Sequence, residues 1–178
     1  DVNISIQSRV SRIGDVVDKT LLSLKDYSKL NQKVDNTKFR CFDLSLDKNM
    51  TDVIDNCKKR GDTVGGDIEV VALGLPYGLG SYIQWDKKLN SIIGSLILSI
   101  NAFKSLTIGS KNNLFGSQYH DEISWEENEY KRLSNSAGGI EGGMSNTLPL
   151  LLNMTMKPIS TLSSPLQSVD IKTKETKS

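Results

Sequence analysis

The stretch that most constrains this chain is 134–165, reading S-N-S-A-G-G-I-E-G-G-M-S-N-T-L-P-L-L-L-N-M-T-M-K-P-I-S-T-L-S-S-P. Two glycine pairs, Gly138-Gly139 and Gly142-Gly143, punctuate a run of small polar side chains. Backbone there can approach something that a Cβ would exclude, either a ligand or another backbone. The apolar run Leu148 to Met156 follows directly and predicts a strand buried on at least one face. It ends in Lys157-Pro158-Ile159-Ser160-Thr161, where a cation, a rigid turn and two hydroxyls suit an anionic, hydrogen-bonding ligand. The glycines match neither G-x-G-x-x-G nor the phosphate loop G-x-x-x-x-G-K-[ST], because the lysine comes a whole strand later. Residue chemistry by itself therefore gives a ligand-binding loop, set against the plainer reading of paired turns and a solvated lysine.

Composition bounds what such a loop can serve. The chain of 178 residues is 37% hydrophobic and 24% charged, enough for one domain with a proper core. With 22 basic and 21 acidic residues there is no global electrostatic case for nucleic acid or an acidic membrane surface, so any anion must be met locally. Cys41 and Cys57 lie in no metal spacing, and with His120 as the single histidine no zinc site is expected. Reduced thiols and a cytoplasmic location are the expectation. The opening Asp1-Val2-Asn3 has no signal-peptide character. The most apolar run, Ile92 to Phe103, falls well short of the roughly 20 residues a membrane span needs.

Along the chain, Val2 to Ile13 alternates with the period of a half-buried strand. Residues 15–37 read as exposed connection with a short helix, and Leu46 to Arg60 as a helix capped by Asp47, with Met50, Val53, Ile54 and Cys57 on one face. Gly61 suits the left-handed position that ends it. A β-branched strand, Ile68 to Ala72, comes next. Gly65-Gly66 before it reads as a strand-entry bend, with close approach to a ligand as the alternative. Gly74 to Gly80 is a defined loop. A helix is predicted from Asp86 to about Asn101, its stripe of Leu89, Ile92, Ile93, Leu96, Ile97 and Ile100 serving core or subunit interface. Lys104 to Ile108 reads as a strand, Gly109 to Asn113 as a loop, Ile123 to Lys131 as a solvated hairpin, and 171–178 as a polar tail. His120 reads as solvated or structural. Asp121 and Glu122, adjacent in an extended segment, point apart and do not form an acid-base pair. Strands alternating with two good helices place residues 1–178 in one α/β domain of layered architecture.

The order of the motifs says more. A-G-G-I-E-G-G-M-S-N, then M-K-P-I-S-T-L and P-L-Q-S-V-D-I, strongly resembles chorismate synthase, a flavin-dependent family. Further blocks match in the same order: Arg40-Cys41, Gly61 to Gly66, Val71-Ala72 with Gly74 to Gly80, Ser99 to Lys104, and Gly116-Ser117-Gln118 with Asp121-Glu122. The resemblance runs from about Ile4 to Lys174 and implies the C-terminal half of that fold, a β-α-β sandwich with antiparallel sheets. It implies a lyase of the shikimate pathway, in aromatic amino acid biosynthesis, that eliminates phosphate 1,4-anti from 5-enolpyruvylshikimate 3-phosphate to give chorismate. Reduced FMN is its cofactor, lending an electron transiently and recovering it, with NADPH a candidate for reducing the flavin. A homotetramer is also implied.

The resemblance carries flavin contacts onto Asn101, Ala102, Gly142, Lys157, Pro158, Ile159, Ser160 and Thr161, converging on one pocket wall. It carries none onto Ser136 or Thr147, where the chain departs from the family pattern. The family's catalytic histidines, its R-S-D block and most of its phosphate-binding arginines have no counterpart here, so a truncated, non-catalytic fragment or remnant that keeps part of the flavin site is the alternative. Apolar surface and strand edges shared with a missing half are expected to lie open.

Overall fold

The computed structural model describes residues 3–110 and 115–177, so part of the expected Gly109–Asn113 loop and the ends of the chain lie outside the described residues. In chain order the elements are β1 (Ser5–Ile13), β2 (Val16–Val17), α1 (Leu24–Tyr27), α2 (Leu30–Val34), α3 (Asp47–Lys59), β3 (Gly66–Leu73) and α4 (Leu89–Ser99). There follow β4 (Phe103–Ile108), α5 (Gly116–Tyr119), β5 (Ile123–Glu126), β6 (Glu129–Arg132), β7 (Ile140–Glu141), β8 (Met144–Ser145), β9 (Leu150–Met156), β10 (Ser168–Val169) and β11 (Thr176–Lys177). Five strands form one antiparallel sheet in the order β2-β1-β3-β9-β4. β9, last of the five in sequence, thus lies inside the sheet, where its mostly apolar character, interrupted by Asn153 and Thr155, belongs.

Register sorts the two faces. Val70 lies opposite Leu152, Ala72 opposite Leu150 and Ile108 opposite Leu152, so these side chains share one face. They enclose the core with Leu75, Leu89 and Ile93, which is what fixes α4 on that side. The other face is partly ionic. Arg9, 5% exposed, donates through Nε to Glu69 at 3.0 Å, and Arg12 grips Asp67 with two bonds of 2.7 and 2.9 Å. Asp67 also accepts from the Thr155 hydroxyl at 2.7 Å.

The segment 15–37 corrects the expectation of an exposed connection. Leu30 and Val34 are fully buried, and the amide and side chain of Asn31 bond Gln7 and Ser8 of β1. At its start, buried Asp18 accepts from the amides of Thr20, Phe42 and Asp43 at 2.9, 3.1 and 3.1 Å and lies 3.4 Å from Arg9. Burial pushes this carboxyl up, but the hydrogen bonds from Thr20, Asp43 and Cys41 prevail and hold it below the ordinary aspartate range. One buried carboxylate thereby ties two loops to the sheet.

Helix boundaries also shift. Asp47 does not cap α3. A 3-10 turn at Leu44–Leu46 precedes the helix, and Asp43 caps that turn by accepting from the Ser45 amide. The C-terminus is as expected: Gly61 sits at φ 68°, its amide bonds Lys58 O and the Asp62 amide bonds Cys57 O, the paired bonds of a Schellman ending. Helix α4 starts at Leu89 rather than Asp86, because Trp85–Lys87 forms its own 3-10 turn and Lys88 is extended. The inner side of α4 is core, whereas Ile92, Leu96 and Ile100 are 40%, 63% and 48% exposed. No helix among the described residues is long and apolar enough to cross a membrane.

The segment 123–132 is the expected hairpin, turning at Glu127 and Asn128 with φ 54° and 63°, and Trp125 meets Tyr130 edge-on at 4.7 Å. The polar tail is not wholly irregular, since Thr176–Lys177 pairs with Ser168–Val169.

Replacing Asp18 by alanine should destabilise the fold by about 3 kcal/mol at neutral pH, the usual scale for breaking a buried ionic network. Because the folded-state carboxyl is depressed, its contribution is present above about pH 4 and is lost as pH falls through the lower folded value. Urea melts of both proteins across pH should show the gap closing on the acid side.

Candidate functional site

Three of the four paired glycines are explained by backbone. A Cβ on Gly139 would stand 2.7 Å from Pro149 O, and one on Gly143 would stand 2.7 Å from Ser81 O; Gly138 lies as tightly against Gly109. The hairpin β7–β8 is laced into the Gly74–Gly80 loop by Ser145, 1% exposed, whose amide bonds Leu79 O and whose hydroxyl accepts from the Leu79 amide and donates to Pro76 O. It also meets the start of α4, where the Leu89 amide donates to Gly143 O at 2.8 Å. Gly142 differs: a Cβ there would touch nothing within 4 Å. It lines an open cavity of about 300 Å³ with Lys88, Asn90 and Ala137.

Upstream, Asp121 is spent on this loop. Its carboxylate accepts from the Ser134 hydroxyl and from the amides of Ser136 and Ala137 at 2.5, 2.7 and 3.0 Å. Burial raises its pKa, and those three bonds together with Arg132 outweigh burial and leave it lowered. Asn135 adds a second clamp, accepting from the Gly139 amide and donating to Pro149 O. Neither anchor was evident from the sequence; an Asn before a glycine turn is a local signal that could have pointed to Asn135, whereas Asp121 acts from 13 to 16 positions away and leaves no such signal.

The other candidate residues gather at the far end of α4. The helix closes at Ile100, and Ala102 takes the left-handed conformation at φ 74°, which costs a non-glycine residue roughly 1–2 kcal/mol. Its carbonyl accepts from the Lys157 amide at 2.9 Å, and Phe103 pairs with Met156. Asn101 and Ala102 are thereby set beside the Lys157–Thr161 segment, which is exposed. The side chains of Lys157, Ser160 and Thr161 have no hydrogen-bond or ion-pair partner among the described residues. That segment is held from below by the loop after α3, where the Thr63 hydroxyl donates to Ile159 O at 2.6 Å and the Ser164 amide bonds Gly61 O at 3.0 Å.

The candidate residues therefore lie at the two ends of one helix. Gly142 stands at the start of α4, and Asn101, Ala102 and Lys157 at its end. Eleven helical residues separate the two ends by about 16 Å. His120 is exposed and edge-on to Tyr119 at 5.9 Å. No group of three or more His, Cys, Asp or Glu side chains among the described residues is placed to hold a metal ion.

The chorismate synthase family model matches residues 1–178. The chain belongs to the chorismate synthase family. Curated relatives agree: chorismate synthase 2 of Bacillus thuringiensis (strain Al Hakam) is 43% identical over 179 residues, 98% of this chain and 46% of the relative. Chorismate synthase of Shouchella clausii (strain KSM-K16) is 48% identical over 150 residues, covering 82% of this chain and 38% of the relative. A crystal structure of a chorismate synthase superposes with a TM-score of 0.81 at 36% identity, covering 87% of this chain and 49% of that one. The layered antiparallel fold is thus the family's. The chain spans about half the length of the curated chorismate synthases it matches.

The two glycines of the β7–β8 turn separate experimentally. Gly142→Ala should cost about 1–2 kcal/mol from its φ of 61° alone, whereas Gly143→Ala, at φ 92° and against Ser81 O, should cost more and lower the melting temperature further. Thr147, a β-branched residue at φ 73°, is strained within the turn that Asn146 closes by accepting from the Leu148 amide at 3.1 Å. Thr147→Gly should gain about 1 kcal/mol, strain relief exceeding the extra entropy of glycine in the unfolded chain, read as a higher melting temperature.

Proposed function

We propose that this chain supplies flavin contacts of a chorismate synthase, a lyase that eliminates phosphate from 5-enolpyruvylshikimate 3-phosphate with reduced FMN. The observation that carries this reading is the strained turn at Ala102, next to Asn101, whose carbonyl holds the Lys157 amide at the head of a segment whose lysine and two hydroxyls are unpaired among the described residues. Strain of this kind persists where the surroundings over-determine it and gathers at ligand sites. The chemistry fits a reduced flavin, whose ring offers amide-complementary edges and carries negative charge that Lys157 can balance. The bound flavin supplies reversible electron donation. The residues of this chain orient its ring through Asn101 and Ala102, place a cation through Lys157, and offer hydroxyl donors at Ser160 and Thr161. Gly142, with open space where a side chain would be, offers a further contact near the other end of α4.

A second observation favours a chain that does not turn over substrate by itself. A phosphorylated dicarboxylate calls for several arginines, yet Arg9, Arg12, Arg40 and Arg132 are engaged by Asp18 and Glu69, Asp67, Asp35 and Glu141. The remaining Arg60 closes α3. In this reading the proton-handling and phosphate-binding groups belong to parts of the enzyme other than these residues.

Anaerobic titration tests it. The chain should bind reduced FMN more tightly than oxidised FMN, and Lys157→Gln should weaken the reduced form about tenfold, roughly the 1.4 kcal/mol of one charge-assisted contact, while leaving the melting temperature unchanged. Equal affinity for both redox forms, or no loss in the variant, removes the basis of the assignment.

A further inference from the structure

We propose that Thr63 is a positioning residue: its hydroxyl sets where the Lys157–Thr161 segment lies. This rests on the flavin reading only for its consequence in binding. After β9 the chain has no helix or strand until Ser168, so nothing in its own secondary structure fixes residues 157–167. Beyond the Lys157 amide, which bonds Ala102 O, one loop, 61–65, holds it. Gly61 O accepts from the Ser164 amide at 3.0 Å, and a Cβ on Gly61 would stand 2.8 Å from that amide nitrogen. Gly65 lies so close beneath the strand end that a Cβ would reach Met156 O at 2.5 Å and the Pro158 ring at 3.0 Å. Both are backbone contacts that any sequence keeping these glycines would make. The Thr63 hydroxyl is a side-chain contact, donating to Ile159 O at 2.6 Å, midway between the lysine and the hydroxyl residues.

Thr63 is itself fixed from behind. Its amide donates to Asp62 Oδ1 at 2.7 Å, and Asp62 and Gly61 are tied to the last carbonyls of α3. The line of contacts therefore runs from the end of a thirteen-residue helix, through one hydroxyl, to the carbonyl of Ile159. Pro158 has no amide to donate and stiffens itself and the residue before it rather than those after it, so the direction in which Ser160 and Thr161 leave the strand depends on what holds Ile159. A valine at position 63 keeps the shape and removes the donor. Ile159 is 64% exposed, so water can replace the lost bond to its carbonyl and the fold should survive.

The test uses the full chain as Thr63→Val and Thr63→Ser, with amide hydrogen exchange resolved at Lys157 and Ser164, whose amides bond Ala102 O and Gly61 O. In the valine variant, exchange at Ser164 should rise about fivefold, the equivalent of one ordinary hydrogen bond, with the β9 amides unchanged. The serine variant should behave as wild type. Affinity for reduced FMN should fall by a similar factor in the valine variant and recover in the serine variant. Unchanged exchange at both amides in the valine variant overturns the positioning role, with no flavin needed to see it. Faster exchange with unaltered flavin affinity supports the positioning role and overturns the assignment of flavin to this segment.

Discussion

Backbone lying directly on backbone is the constraint on which the rest of this structure depends. Where the Gly74–Gly80 loop, the β7–β8 hairpin and the start of α4 meet, Gly80 and Gly143 leave no room for a side chain between the chains they join. The same is true of Gly109 against Gly138, and of Gly65 under the end of β9. Each junction connects segments distant in sequence, and each positions an element that carries candidate chemistry. Interiors are packed too densely to absorb an extra methyl group at such points. The site is thereby set by main-chain geometry first, and its side chains are added to a frame already fixed.

Periodicity made the larger elements legible. The apolar run of β9 and the stripe along α4 reflect burial on one side, whereas the alternation in β1 marked a strand but not its buried side, since Ile4 and Ile6 are exposed and Arg9 is buried. Boundaries were less legible because a 3-10 turn precedes both α3 and α4, and such turns carry no hydrophobic period of their own. The buried part of 15–37 was invisible for a similar reason. Helix α2 has five residues, and Leu30 with Val34 is too brief a pattern to distinguish from chance in a lysine-rich segment. The family was legible from motif order, and Asn101, Ala102 and Lys157 do meet. The separation of Gly142 from them was not legible, because it depends on α4 standing between, a fact of topology rather than of local sequence.

Charge tells a related story. A nearly neutral chain conceals strong local organisation, since most of its arginines are spoken for by carboxylates from other parts of the sequence. Arg9 reaches Glu69 and Asp18, sixty and nine positions away, and is buried with Asp18 while Glu69 stays partly exposed. Such a network stabilises one arrangement of loops over others because every partner is already satisfied. It also withdraws those guanidinium groups from ligand binding, so an anion arriving at this surface meets lysines and hydroxyls instead.

The tryptophans have a practical consequence. Trp85, in the 3-10 turn before α4, and Trp125, on the β5–β6 hairpin, are 76% and 59% exposed, and the sequence contains no third. Neither indole sits in the core that the sheet and α4 enclose. Intrinsic fluorescence of this protein is therefore a report from its periphery, already red-shifted before any denaturant is added, and it follows the movement of two surface loops rather than the loss of the interior.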